Sequence, residues 1–357
     1  MGVVGLPASY GGFETLAEQL VCSSFFELDN IFVYCEAAVA KASDYRYKNA
    51  ALVSVPFKAN GWQSIPYDCV SMFKACKKGG VLLILGTSAT LFLPVFKLLF
   101  PNVKFVVNMA GLEWSRSKWS NLASWYLKLN ERFAIKNAHV TIADNQGLSE
   151  YVDKNYSVAT VCIPYGGDQG ITYEPDKDSL QDLILPDGDF DLAISRAQPD
   201  NNIEMILSSY SYNSIPLVFI SNWESCNFGK DMRARFGSFS NIHLIDPIFD
   251  LNKLAAIRAR ARLYVHGHSA GGTNPVLVET MWHSLPIVSF DVNFNRHTTH
   301  GEALFFSNKE ELISCLNSIT REWLDETALK VHLVAVKEYS WSRICKRYHD
   351  VLTKEYK

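Results

Sequence analysis

Leu263-Tyr264-Val265-His266-Gly267-His268-Ser269-Ala270-Gly271-Gly272-Thr273-Asn274-Pro275-Val276-Leu277-Val278-Glu279 carries a strand, a glycine loop and a helix start in one short stretch. The apolar run ends at Val265. Glycines follow, then Thr273 and Asn274 as candidate N-caps, with Pro275 where a first helical turn tolerates proline. The N–H groups of Gly272–Asn274 are expected to form an anion seat, because a helix start carries unsatisfied donors and a positive dipole end. Glu279 stands about one turn into the helix, within reach of a ribose diol whose phosphates rest at the helix end.

The same alternation runs outward in both directions. In the second half, strands are expected at Phe190–Ile194, Leu217–Ile220, Ile242–Leu244, Leu263–Val265 and Ile287–Ser289. Helices are expected at Asn202–Tyr210, Leu251–Ala259, Pro275–His283 and Lys309–Thr320. The first half shows the same pattern, with strands at Ile31–Tyr34, Ala51–Val55, Val81–Leu85, Lys104–Asn108, Val140–Ala143 and Thr160–Ile163. Phe13–Phe26, Tyr67–Lys77 and Ser120–Lys136 are its helix-length stretches. Alternation of this kind implies α/β layering with parallel sheets. The polar stretch Asp168–Asp189 separates the halves, so two doubly wound domains are expected. In such domains ligands bind outside the carboxyl ends of the strands, and facing domains offer the cleft between them. Only Met1–Val4 precede the Gly5 loop, so the first strand reads as clipped.

Length and composition agree with this division. A chain of 357 residues suggests two domains, and 48% hydrophobic with 20% charged residues suits full globular cores. A net charge of -3 offers no global field for nucleic acid, which excludes that class of partner. Eight cysteines without a C-x-x-C pair read as buried free thiols of a reducing cytoplasm. Met1–Pro7 lacks the basic start of a signal peptide, so a cytoplasmic location is expected. Val81–Phe100 is apolar but interrupted by Gly86, Thr87, Ser88, Pro94 and Lys97. It reads as a strand, a turn and a helix rather than a span, with Thr90–Phe100 suited to rest on a membrane surface.

Three further segments carry chemistry. Gly5-Leu6-Pro7-Ala8-Ser9-Tyr10-Gly11-Gly12-Phe13-Glu14-Thr15 reads equally as a tight turn or as a ligand loop before a helix. Asn108–Trp119 puts two tryptophans, Glu113, Arg116 and Lys118 on one loop. Indole faces suit sugar rings, Glu113 suits hydroxyls and the cations suit phosphate; a helix start with surface charges is the other reading. Ser195-Arg196 follows a strand directly, which places a cation at its carboxyl end. His266 and His268 lack a third metal ligand of suitable spacing, so no metal is expected. No G-x-S-x-G elbow is present.

The runs GLPASYGGFET (5–15), GLEWSRSKW (111–119), YGG (165–167), HGHSAGGTNPVLVETM (266–281) and FDVNFNRHTT (290–299), in this order and spacing, make the chain resemble the rhamnosyltransferase-type branch of family-4 glycosyltransferases. The resemblance spans nearly the whole chain. It implies a GT-B fold: two Rossmann-like doubly wound domains and a C-terminal helix that crosses back to the first. The expected boundaries are 1–168 for an acceptor domain, 169–335 for a donor-binding domain and 336–357 for the returning helix. It implies retaining, metal-independent transfer of a sugar, rhamnose from dTDP-rhamnose, to a lipid-linked saccharide in bacterial capsule or O-antigen assembly. No cofactor is implied beyond the nucleotide-diphosphate sugar as co-substrate, and peripheral contact with the cytoplasmic face of the membrane is expected.

Carried over by residue, Arg196 matches the family's diphosphate-binding arginine and Glu279 the second glutamate of its E-x7-E motif, which holds the donor ribose. Gly11 and Gly12 match its first-domain glycine loop. On this reading Glu113, Arg196 and Glu279 serve catalysis. Gly11, Gly12, Arg196, Asn202, His268, Gly271, Gly272, Thr273, Asn274 and Glu279 hold the donor. Tyr10, Glu113, Trp114, Arg116 and Lys118 hold the acceptor. Three positions depart from the family pattern: Gly271 stands where the first glutamate falls, Asn201 or Asn202 replaces a lysine, and Ala110 replaces an acid. Those departures keep a second reading open, a nucleotide-sugar-binding protein without turnover. An epimerase on the same architecture would need acid and base residues at the reacting carbon.

Overall fold

The computed structural model describes residues 1–354 except 9–10, 110, 117–118, 171–179 and 181–182. The chain divides into two compact units, 1–165 with 341–357, and 166–340.

The first unit contains β1 (Phe32–Glu36), β2 (Arg46–Tyr47), β3 (Ala50–Val55), β4 (Val81–Leu85), β5 (Lys104–Met109), β6 (Val140–Ala143) and β7 (Val161–Cys162). They pair as β1-β3-β2 and β4-β5-β6-β7, parallel throughout except for β2 against β3. Residues 1–4 lie between the two sheets. The Met1 ammonium donates to the Leu83 carbonyl at 2.9 Å. Leu85 N–H donates to Met1 O at 3.0 Å and Glu36 N–H to Val4 O at 2.9 Å. The stub that reads as a clipped strand therefore holds the central position of the unit. Gly2 permits the approach: its φ is +92°, and a Cβ there would stand 2.0 Å from Leu85 O.

Helices α1 (Gly12–Cys22), α2 (Ala37–Ala42), α3 (Ser64–Cys76), α4 (Leu93–Leu99), α5 (Asn121–Asn137) and α6 (Gln146–Tyr156) complete this part of the unit. The C-terminal helix Trp341–Thr353 belongs to it as well. Its Trp341, Ile344, Tyr348 and Val351 recur at helical spacing and join the core under α1. Asn108 Nδ2 donates to the Tyr348 hydroxyl at 2.5 Å. Lys104 Nζ meets the carbonyls of Val351 and Lys354 at 2.7 and 2.8 Å, where a helix end attracts a cation.

The second unit contains β8 (Phe190–Ile194), β9 (Leu217–Ile220), β10 (Ile242–Ile245), β11 (Ala261–His266), β12 (Ile287–Phe290) and β13 (Leu304–Phe306). All pairings are parallel and the order is β10-β9-β8-β11-β12-β13. That is the doubly wound dinucleotide-type order. Between and after the strands run α7 (Ile203–Tyr210), α8 (Asn227–Phe236), α9 (Leu251–Arg260), α10 (Pro275–Trp282), α11 (Asn293–Thr299), α12 (Lys309–Ser318) and α13 (Arg321–Glu338). Asp191 pins β8 to β11: its buried carboxylate accepts two 2.8 Å bonds from Arg262 and one of 2.6 Å from the Tyr210 hydroxyl. Observed strands and helices differ from the expected bounds by a few residues at most ends. Among the described helices none is long and apolar enough to cross a membrane.

Asp68 on α3 is buried; one carboxylate oxygen accepts from the Ser88 hydroxyl and the other has no hydrogen-bond partner. Burial pushes its pKa from 3.8 up to about 6, against the opposing pull of Ser88. A raised carboxyl pKa stabilises the fold below the unfolded value of 3.8, and this contribution is lost as pH rises through about 6. Asp68→Asn keeps the shape and removes the buried charge. It is expected to stabilise the chain at pH 8 by about 2–3 kcal/mol and to flatten the profile between pH 4 and 6. Urea denaturation at both ends of that range checks this; an unchanged or lower midpoint at pH 8 contradicts it.

Candidate functional site

The strand order reverses between β8 and β11. Chain leaving β8 turns towards β9 and chain leaving β11 towards β12, so the loops at their carboxyl ends diverge and open a crevice. One loop is 195–202 and the other 267–274. They are fastened to each other. Asn202 Nδ2 donates to Gly267 O at 2.9 Å, and Ser269 gives its N–H and its hydroxyl to Asp200 O at 2.9 and 2.8 Å. Gly267 allows the contact, since a Cβ there would lie 2.2 Å from Asn201 O. Asn201 Nδ2 braces the Arg196 carbonyl at 2.7 Å, and Asn295 Nδ2 ties His268 O to Phe290 O, each at 2.9 Å. Arg196 itself is exposed, two residues beyond the end of β8. Asn202, expected at the donor, uses its amide nitrogen as the clamp between the loops.

Asn274 is the N-cap of α10: its Oδ1 accepts from Val276 and Leu277 N–H at 2.9 and 3.3 Å, and Pro275 has no N–H to offer. The first helical amides are thus occupied, and Thr273 lies outside the cap, buried. The donors left for an anion lie one turn earlier. Gly271 and Gly272 N–H make no hydrogen bond among the described residues. Gly271 has φ +123°, a conformation that strains any residue with a Cβ. The glutamate that the resemblance implies at this position would be strained there: the loop is built for glycine.

Glu279 is not a carboxylate awaiting a partner. Arg258 Nη2 on α9 meets its Oε2 at 2.7 Å and Gln169 Nε2 meets its Oε1 at 2.7 Å. The Arg258 side chain is 2% exposed and that of Glu279 19%. Glu279 is therefore the counter-charge of a buried cation, and only its outer edge faces water. Gly167 brings Gln169 into place: a Cβ there would stand 2.7 Å from Val278 Cγ1, so the 167–170 segment lies directly on α10. Burial, helped by Arg258, pushes His283 at the end of α10 down to about 4. His266 is fully buried at the end of β11, and neither ring nitrogen has a hydrogen-bond partner. Burial, reinforced by His268, holds it well below the usual histidine range, so it is neutral. The two rings stack at 4.5 Å. Among the described residues no group of three His, Cys, Asp or Glu is arranged to hold a metal.

At the carboxyl end of β10 lies a cavity of about 690 Å³ lined by Ile184, Leu244, Asp246, Ile248, Phe249 and Lys253. β10 is about two and a half strand spacings from the β8/β11 crevice, roughly 12 Å. Sequence reasoning overlooked this cavity, as it did Arg258 and Gln169. The exposed Phe249 beside the Asp250 cap of α9 was the available signal.

In the first unit the residues expected at an acceptor bond chiefly to one another. Glu113 Oε2 forms an ion pair with Arg116 Nε at 2.9 Å, and Glu113 Oε1 accepts from Trp119 Nε1 at 3.2 Å. Trp114 donates to buried Glu131 at 2.9 Å, and Lys128 Nζ covers its ring at 4.4 Å from the centroid. Tyr151 and Tyr156 hydroxyls complete the set on Glu131 at 2.8 and 2.7 Å. Gly11 is the N-cap of α1 and Gly12 its first residue. The α1 carboxylates Glu14 and Glu18 accept from Val4 N–H at 2.8 Å and Ala8 N–H at 3.4 Å, so the loop is held by negative charge. Tyr10, Ala110 and Lys118 lie outside the described residues.

Comparison with known proteins gives the fold a name. Residues 1–168 match the family described as Domain of unknown function (DUF1972), a little under half of the chain. No curated protein matches. The fold is similar to that of sucrose-phosphate synthase from Thermosynechococcus elongatus, with a TM-score of 0.80 and 14% identity over 96% of this chain and 92% of that one. It is also similar to Anabaena HepE in complex with UDP-glucose, with a TM-score of 0.75 and 14% identity over 97% and 96%. The N-terminal domain of Candida albicans trehalose-6-phosphate phosphatase gives 0.69 and 10% over 94% and 92%. The fold is GT-B.

Removing Arg258 tests the Glu279 geometry. Breaking a buried ion pair from one side costs about 3–5 kcal/mol, and the partial exposure of Glu279 lowers this to about 2–3 kcal/mol. Arg258→Met is expected to lose that much stability in urea, and Arg258→Met with Glu279→Leu to regain most of it. A single variant as stable as the parent contradicts the pairing.

Proposed function

We propose that this chain is a glycosyltransferase that uses a nucleotide-diphosphate sugar. The observation that carries the reading is the placement of Arg196 and the Gly271-Gly272 amides at the carboxyl ends of β8 and β11, where a doubly wound sheet reverses its strand order. A guanidinium and loop amides suit a diphosphate, whose negative charge grows as the sugar departs. The base is assigned to the cavity at the end of β10, and the ribose to the outer edge of Glu279. HepE was crystallised with UDP-glucose, which supports a nucleotide sugar on this architecture. The motif runs support a finer assignment: rhamnose from dTDP-rhamnose, retaining and metal-free transfer, and a lipid-linked saccharide acceptor of a bacterial surface polysaccharide, with Glu113, Trp114 and Arg116 as acceptor residues.

In the chemical step the sugar carbon takes on oxocarbenium character as its bond to the diphosphate lengthens. Arg196 and the loop amides take up the charge. The departing phosphate oxygen accepts the proton of the attacking hydroxyl, so no protein nucleophile is required. The internal bonding of Glu113, Arg116 and Trp114 favours a second reading, donor binding without transfer, which an assay of transfer to saccharide acceptors separates from the first.

Calorimetry with dTDP, UDP and GDP tests the donor site. At least one is expected to bind, with and without EDTA. Arg196→Ala is expected to weaken binding by ~10–100-fold, the worth of a charge-assisted contact of about 1.5–3 kcal/mol. A well-folded chain that binds none, or a variant that binds as tightly as the parent, contradicts the reading.

A further inference from the structure

Residues 87–137 hold seven Lys and Arg but two carboxylates, in a chain whose net charge is -3. Both carboxylates are engaged internally, Glu113 by Arg116 and Trp119, Glu131 by Trp114, Tyr151 and Tyr156. Lys97, Lys128, Arg132 and Lys136 form no ion pair among the described residues. On α5, Leu122, Trp125, Lys128, Arg132 and Lys136 recur at steps of three and four and form one exposed stripe. The neighbouring α4, packed against α5, adds Val95, Leu98 and Leu99. These apolar side chains stand in water: Leu98 is 82% exposed, Leu122 75% and Trp125 62%.

Single exposed leucines are ordinary, but a cluster with a tryptophan beside unpaired cations marks an interaction surface. We propose that this α4/α5 face docks on an anionic lipid bilayer. The leucines and Trp125 enter the boundary between headgroups and acyl chains, and Lys97, Arg132 and Lys136 meet the headgroup phosphates. Charge selects this occupant. A second copy of the chain would bring a like-charged face and be repelled, and nucleic acid has no apolar layer to receive Leu98 and Trp125. The inference stands on this face alone. It gives the proposed transfer a route to a lipid-linked acceptor but does not depend on the donor site.

Co-sedimentation of the full chain with vesicles tests it, comparing phosphatidylcholine alone with phosphatidylcholine containing phosphatidylglycerol. Binding is expected only with phosphatidylglycerol, weakening as salt rises. Each Lys or Arg near an anionic surface is worth roughly fivefold in partitioning, so Lys97→Glu with Arg132→Glu and Lys136→Glu is expected to lower binding at least ~100-fold. Leu98→Glu is expected to lower it too, and Trp125→Phe to remove a vesicle-induced blue shift in tryptophan emission. Leu98, Trp125, Arg132 and Lys136 are exposed and the half-buried Lys97 forms no ion pair, so the variants are expected to melt with the parent. No binding to anionic vesicles, binding that the variants leave intact, or self-association that Leu98→Glu abolishes in place of vesicle binding each overturns the proposal. Nucleoside diphosphate calorimetry on the same samples keeps the two readings apart: vesicle binding without nucleotide binding sinks only the donor assignment, and the reverse sinks only this one.

Discussion

The pairing of β8 with β11 is the constraint on which the second unit rests. Two segments some seventy residues apart lie side by side, locked by the Arg262–Asp191 fork, and leave the sheet in opposite directions. Everything at the candidate site follows from that divergence. The 195–202 and 267–274 loops must turn away from each other, yet Asn202, Ser269 and Gly267 hold them in contact at their bases. The clamp holds the backbone at Arg196 and the glycine loop in fixed relation. Such pre-set donors cost no reorganisation when charge develops.

Much of this was legible in the residues. Apolar runs and glycine punctuation located the long strands, and the loop at 266–274 was readable because strand, glycine and proline each favour one backbone state there. The short elements were not. β13 spans Leu304–Phe306 and has no period to detect, and the 1–4 stub pairs through carbonyls and amides that side-chain pattern does not reveal. Side-chain partners were the least legible. Glu279 lies on a recognisable helix, but its pairing with Arg258 and Gln169 depends on α9 and the 168–170 turn reaching the same spot. Thr273 and Asn274 are both good caps by type, and only the geometry selects Asn274.

The two units differ in how they use their charges. In the second, a buried arginine is neutralised by Glu279, and Arg196 is exposed. In the first, Glu113 pairs with Arg116 and Trp119 and Glu131 with Trp114, while Lys128, Arg132 and Lys136, which form no ion pair among the described residues, lie along α5 beside exposed leucines. The departure at Gly271 fits this division. A glycine with φ +123° brings backbone N–H groups, rather than a carboxylate, to the crevice, which makes the local field more favourable to phosphate.

A crystal structure of the chain with dTDP or UDP decides whether a diphosphate binds at the β8/β11 crevice. The β-phosphate is expected within about 3 Å of the Arg196 guanidinium and the Gly271 or Gly272 N–H, with the base in the cavity at the end of β10. A β-phosphate bound elsewhere, or a base outside that cavity, would contradict this placement.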